Sequence, residues 1–108
     1  RNLYEYTLSV ASNIRWSSRY GKGTCNPKFP SLNDRCPYSI RTDGNLDLHF
    51  DMLVDGEEMH TKRANFVDML SKIPELSVTK NDPWKVIPVS AWMHHVEEII
   101  DAIGKTLL

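Results

Sequence analysis

The chain has 108 residues, 41% hydrophobic and 25% charged, close to the averages of globular domains. A chain of that length buries about 65% of the surface its unfolded form exposes, enough for one hydrophobic core without staples. No apolar run approaches the ~20 residues that span a bilayer, so no membrane partner is expected, and the chain reads as soluble and cytoplasmic.

Residues 1–11 carry two patterns at once. Tyr4, Tyr6, Leu8 and Val10 alternate as in a strand, while Leu3, Tyr4, Leu8 and Ala11 form a helical stripe, and the helix is preferred. After Ser12 and Asn13, Ile14 and Trp16 share one side of a short strand, with Arg15 facing the other way. The segment from Ser17 to Pro37 is rich in Gly, Pro, Ser and Asn and reads as one long loop.

Tyr38–Val54 is the clearest stretch. Two alternating runs flank Thr42-Asp43-Gly44-Asn45, residue types that accept positive φ, so a β-hairpin is expected. Leu46, Leu48, Phe50, Met52 and Val54 define one face of a second strand of about nine residues, with only Leu53 breaking the alternation. A helix follows from Glu58 to Ile73, with Met59, Phe66, Val67, Leu70 and Ile73 inward and Lys62, Arg63, Asp68 and Lys72 toward water. Pro74 ends it. Trp84–Val89 reads as a short strand that Pro88 confines to an edge, and Ser90 as the N-cap of a last helix bearing Trp92, Val96, Ile99, Ile100, Ile103 and Leu107. The order predicts an α+β fold, a small mostly antiparallel sheet of three to four strands with a central hairpin and two to three helices on one face. Residues 1–108 are expected to form a single α+β domain that is a fragment of, or appendage to, a longer chain. Cys25 and Cys36 are too few for a disulfide scaffold and are expected to be free thiols.

Charge is distributed unevenly. Residues 1–41 hold seven basic residues (Arg1, Arg15, Arg19, Lys22, Lys28, Arg35, Arg41) against Glu5 and Asp34; residues 42–108 hold six against twelve acidic ones. The first part is thus +5 and the remainder −6, within a net charge of −1.

Several arrangements that could carry chemistry are incomplete. Asp47, His49 and Asp51 alternate along one strand, but residues about 6.6 Å apart do not close around one ion, so a solvated face is expected. His94 and His95 point about 100° apart on a helix and cannot chelate together. Gly21-Lys22-Gly23-Thr24 lacks the first glycine and the context of a phosphate loop. There is no G-x-S-x-G elbow and no Glu-x-Lys of a metal-dependent nuclease. No catalytic residue, metal ligand or cofactor is assigned.

The stronger candidate is the basic, aromatic-bearing segment 15–41. Cations neutralise phosphates and exposed rings stack on bases, so nucleic acid is the expected partner. Arg15, Arg19, Lys22, Lys28 and Arg41 would supply charge, with Tyr20 and Phe29 stacking if exposed. The plainer reading is that Trp16 and Tyr38 are core residues and that the cations balance the acidic remainder. A second partner class is a basic protein, or a neighbouring domain of a parent chain, meeting an acidic face of Asp47, Asp51, Asp55, Glu57 and Glu58. A small enzyme is the third reading.

Residues 14–107 resemble a loosely defined prokaryotic module. The resemblance rests on a Trp-bearing strand with a Gly-rich basic loop (IRWSSRYGKGTCNPKF), a hairpin of the form S-I-x-(T/S)-D-G-x-L (SIRTDGNLDLHF), a helix, a short Pro-containing strand and a closing helix. Ser17 departs from the pattern where a glycine would follow Trp16, as does Cys25 at a position expected to be small or aromatic. Modules of this look accompany restriction-type nucleases and other DNA-processing or defence proteins, usually without a catalytic centre of their own. The resemblance therefore implies a non-catalytic accessory or binding module.

Overall fold

Asn2 starts the first helix. Its Oδ1 accepts the Glu5 amide at 2.7 Å, and α1 runs Leu3–Val10 with Leu3 and Thr7 turned inward. The structure, a computed structural model, describes residues 2–18 and 23–108. It is α+β, as expected. Strands β1 (Asn13–Ser17), β2 (Thr24–Lys28), β3 (Tyr38–Ile40), β4 (Leu46–Leu48) and β5 (Lys85–Ile87) form one antiparallel sheet in chain order.

Five strands replace the three to four expected, because β2 lies inside the segment read as loop. Its sequence, Thr-Cys-Asn-Pro-Lys, has neither apolar alternation nor tolerance for proline in a ladder. The register explains how it pairs. Lys28 O accepts from Ser12 N on the β1 side, whereas Phe29 N donates to Arg35 O on the other. Amides two apart point the same way, so Pro27 turns its N toward β3. There β2 pairs only at Cys25↔Ile40, and the missing N–H removes no bond to β1.

The hairpin forms where expected, with Arg41 N donating to Asn45 O at 2.9 Å and Gly44 at φ +92. A Cβ at Gly44 would also come within 3.2 Å of the Val89 side chain. The second strand is shorter than its pattern. Pairing ends at Leu48, and the chain turns through a 3₁₀ segment, Phe50–Met52. The i, i+3 geometry brings Phe50 and Leu53 inward together, so Leu53, which breaks the alternation, is buried, and Val54, which obeys it, is exposed.

Helix α2 (Glu57–Ser71) carries Glu57 and Glu58 in its first turn, favourable against the helix dipole, and buries Met59, Phe66, Val67 and Leu70. Lys62 does not simply face water: its Nζ donates to Ser31 O at 2.9 Å. Pro74 opens a 3₁₀ turn. The closing helix begins one residue before Ser90, with Pro88 in the cap position and no side-chain cap. It runs as α3 (Val89–Trp92), a 3₁₀ turn, and α4 (Val96–Thr106), with Ile99, Ile100, Ile103 and Leu107 buried.

Paired residues share a face, so the register assigns Cys25, Tyr38, Ile40, Leu46, Leu48 and Ile87 to one side of the sheet. Helix α1 reaches that side through Thr7 Oγ1 and Tyr38 OH, 2.6 Å apart, and α4 touches both α1 and α2. The core lies between this face and the helices. Cys25 is buried, Cys36 half-buried, and the two are not bridged. Among the described residues no helix is long and apolar enough to cross a membrane.

Candidate functional site

The other side of the sheet carries Arg15, Asn26, Lys28, Ser39 and Asp47. In β2, β3 and β4 these residues alternate with buried residues of the same strands, so the pattern that builds the core also lines up the polar set; β1, which carries Arg15, buries no residue. Asn26 is its hub. Its Nδ2 donates to Arg15 O at 2.9 Å and to Thr24 O and Ser17 Oγ at 3.2 Å, and its Oδ1 accepts from Ser39 Oγ at 2.5 Å.

Two carbonyls fix the amide nitrogen, so Oδ1 must face Ser39 and the single Ser39 proton goes to it. The Ser39 oxygen then accepts from His49 Nε2, 2.8 Å away, which assigns the His49 proton to Nε2. This polarity is opposite to that of a hydroxyl activated by a histidine base. Cys36 donates to Tyr38 O at 2.9 Å, and burial pushes its thiol up to about 11, away from a reactive thiolate.

Arg15, Lys28 and Arg35 line an open cleft of about 500 Å³ on this face, together with Asn26, Cys36 and His49. Asp34 and Asp51 also border it. Arg35 is held by Asp55 at 2.9 Å. Among the described residues, neither Arg15 nor Lys28 is in an ion pair.

The expected basic set is therefore only partly assembled. Arg15 and Lys28 meet at the cleft. Arg41 does not line it; 15% exposed, it pairs with Asp43 at 2.8 Å and Asp47 at 3.4 Å beside the hairpin turn. Phe29 is a correction: it is 0% exposed, packed 6.2 Å from the Tyr38 ring, and cannot stack on a base. The condition of exposure fails because Phe29 follows β2 directly into the core. Arg19, Tyr20 and Lys22 lie outside the described residues. The Tyr38 ring packs against Phe29, and its hydroxyl is hydrogen-bonded to Thr7 of α1.

Two further expectations change. Asp47 is 6% exposed rather than solvated, because Arg41 folds over it. With Asp47 buried and Asp55 engaged by Arg35, the five carboxylates Asp47, Asp51, Asp55, Glu57 and Glu58 do not form one free acidic face. Among the described residues no group of three or more His, Cys, Asp or Glu could hold a metal ion. His95 instead lies between Glu98 at 2.6 Å and Glu75 at 3.3 Å.

Of the two aromatics that the plainer reading places in the core, Tyr38 is buried and Trp16 is not, and Tyr4 is not singled out by the sequence. Trp16, 51% exposed, lies 6.2 Å from the Tyr4 ring, 40% exposed, along the edge formed by β1. Ile14, on the same side of β1 as Trp16, is itself only half-buried, as at a sheet edge. Compared with models of protein families, with curated proteins and with solved structures, the chain has no significant match.

Proposed function

We propose that this chain is a non-catalytic accessory module that contacts nucleic acid, with Arg15 and Lys28 on phosphates and the Trp16–Tyr4 pair stacking on unpaired bases. The observation that carries this reading is the β1 edge. Consecutive residues there present Arg15, a cation in no ion pair among the described residues, and a half-exposed indole, Trp16. Arg15 and Trp16 project to opposite sides of this edge strand, so the proposed contact wraps the edge, with phosphates on the Arg15 side and bases on the Trp16 side. Aromatic stacking is worth about 1–3 kcal/mol per base without requiring a particular sequence. Arg19, Tyr20 and Lys22, which follow β1 in the sequence, are included in the proposal on their residue types alone. In this reading the module serves a DNA-processing or defence protein, in keeping with the resemblance of its hairpin and Trp-bearing strand.

The test is fluorescence anisotropy with a labelled single-stranded oligonucleotide over a salt series. Binding should weaken with salt, and Arg15→Ala should reduce the log–log slope by about 0.7, the value for one phosphate contact on a single strand. Trp16→Ala should weaken binding with the slope unchanged. The pair Arg19→Ala and Lys22→Ala should also weaken it. Absence of binding at low ionic strength removes the proposal.

A further inference from the structure

A second cleft, of about 470 Å³, lies on the helical side of the sheet between α2 and the turn at residues 79–82. Its walls are His60, Arg63, Ala64 and Val67 of α2, which recur at spacings of three and four along one helix face, and Lys80 of the turn. The turn is fixed by two bonds, Thr79 N to Asp82 Oδ2 at 2.9 Å and Asp82 N to Thr79 O at 3.2 Å, which hold Lys80 over the cleft. Ala64 is the small residue that opens the depression, and Val67, buried below it, makes the floor apolar.

The charges bordering this cleft are unbalanced. Arg63 is half-buried, and among the described residues His60, Arg63 and Lys80 are in no ion pair. Asp68, the carboxylate at the rim, is engaged by Lys72 at 3.4 Å. Cations from two separate elements thus border an apolar floor, in a volume within the ~300–1,000 Å³ typical of small-molecule sites.

We infer that this cleft binds a small amphipathic organic anion, its acidic group held between Arg63 and Lys80 and its apolar body lying on Ala64 and Val67. Arg63 supplies a planar fork for a phosphate or carboxylate, Lys80 a mobile point charge, and the floor rewards a hydrocarbon that a bare inorganic ion lacks. The site shares no residue with the β1 edge and does not depend on nucleic-acid binding.

The test is an NMR titration of the amide spectrum with hexyl phosphate, beside hexanol and inorganic phosphate. Expected are saturable shifts confined to residues 60–68 and 79–82, with hexanol and phosphate each at least about tenfold weaker. Arg63→Ala and Lys80→Ala should each weaken hexyl phosphate by about tenfold, and Ala64→Leu should block it by filling the depression. The wild-type dispersion of each variant's spectrum verifies its fold. Non-saturable shifts, shifts centred on Arg15 and Lys28, equal binding of hexanol or phosphate, or unchanged affinity in the Arg63 and Lys80 variants would each overturn the inference.

Discussion

The two faces of the sheet are made from the same strands and obey different physics. On the covered face, Tyr38, Leu46, Leu48 and Ile87 lie under the helices, and the polar bond between Thr7 and Tyr38 ties α1 down. Its stabilisation is non-directional and scales with apolar area. The opposite face is bare of the core helices among the described residues, although Ser39 and Asp47 are themselves buried. On it Asn26, Ser39 and His49 form a chain of directed hydrogen bonds, and Asp47 is closed off by Arg41. Such a network contributes less net stability, but leaves a costly unsatisfied group when one member is removed. The covered face therefore holds the fold, while the bare face holds a fixed polar surface with Arg15 and Lys28 at its border.

Changes on the covered face should have the largest effect. Phe66→Ala, which empties the T-shaped contact with Phe50 at 5.9 Å, should cost about 3–5 kcal/mol in urea unfolding. A smaller loss than for any bare-face change would reverse the assignment of roles.

Alkali tests the same face through its thiol. Burial raises Cys25 from an ordinary 9.0 to about 11. Between those values the unfolded chain has lost a proton that the folded chain keeps, so stability falls as pH rises through the window and is unaffected by this group below it. The loss by pH 11 should be on the order of 2 kcal/mol for each of the two thiols, since Cys36 is raised to the same value, and Cys25→Ala should remove its share of the decline. Denaturation midpoints across that pH range provide the measurement.

Ser39→Ala should cost about 1–3 kcal/mol, since it leaves Asn26 Oδ1 and His49 Nε2 without the hydroxyl between them. An unchanged melting temperature would mean that the network is not structural. At the other extreme, Arg15→Ala combined with Lys28→Ala should alter stability by no more than about 0.5 kcal/mol while weakening nucleic-acid binding, which separates the border of the bare face from its interior.

Local pattern determined much of this protein. The Asp43-Gly44 turn, the stripes of α2 and the closing helix, and the confinement of β5 to an edge all follow from φ preferences, helical periodicity and the missing proline amide. Pairing and burial were decided only in three dimensions. Strand β2 exists because β1 and Cys25↔Ile40 supply partners to a sequence with no strand pattern, and Leu53 is buried because a 3₁₀ turn replaces the last part of an alternating run. The same holds for the candidate site. A basic, aromatic composition between residues 15 and 41 is visible in the sequence, but exposure is a property of what packs against a side chain, so Phe29 went to the core, Arg41 to Asp43 and Asp47, and Trp16 to the open edge.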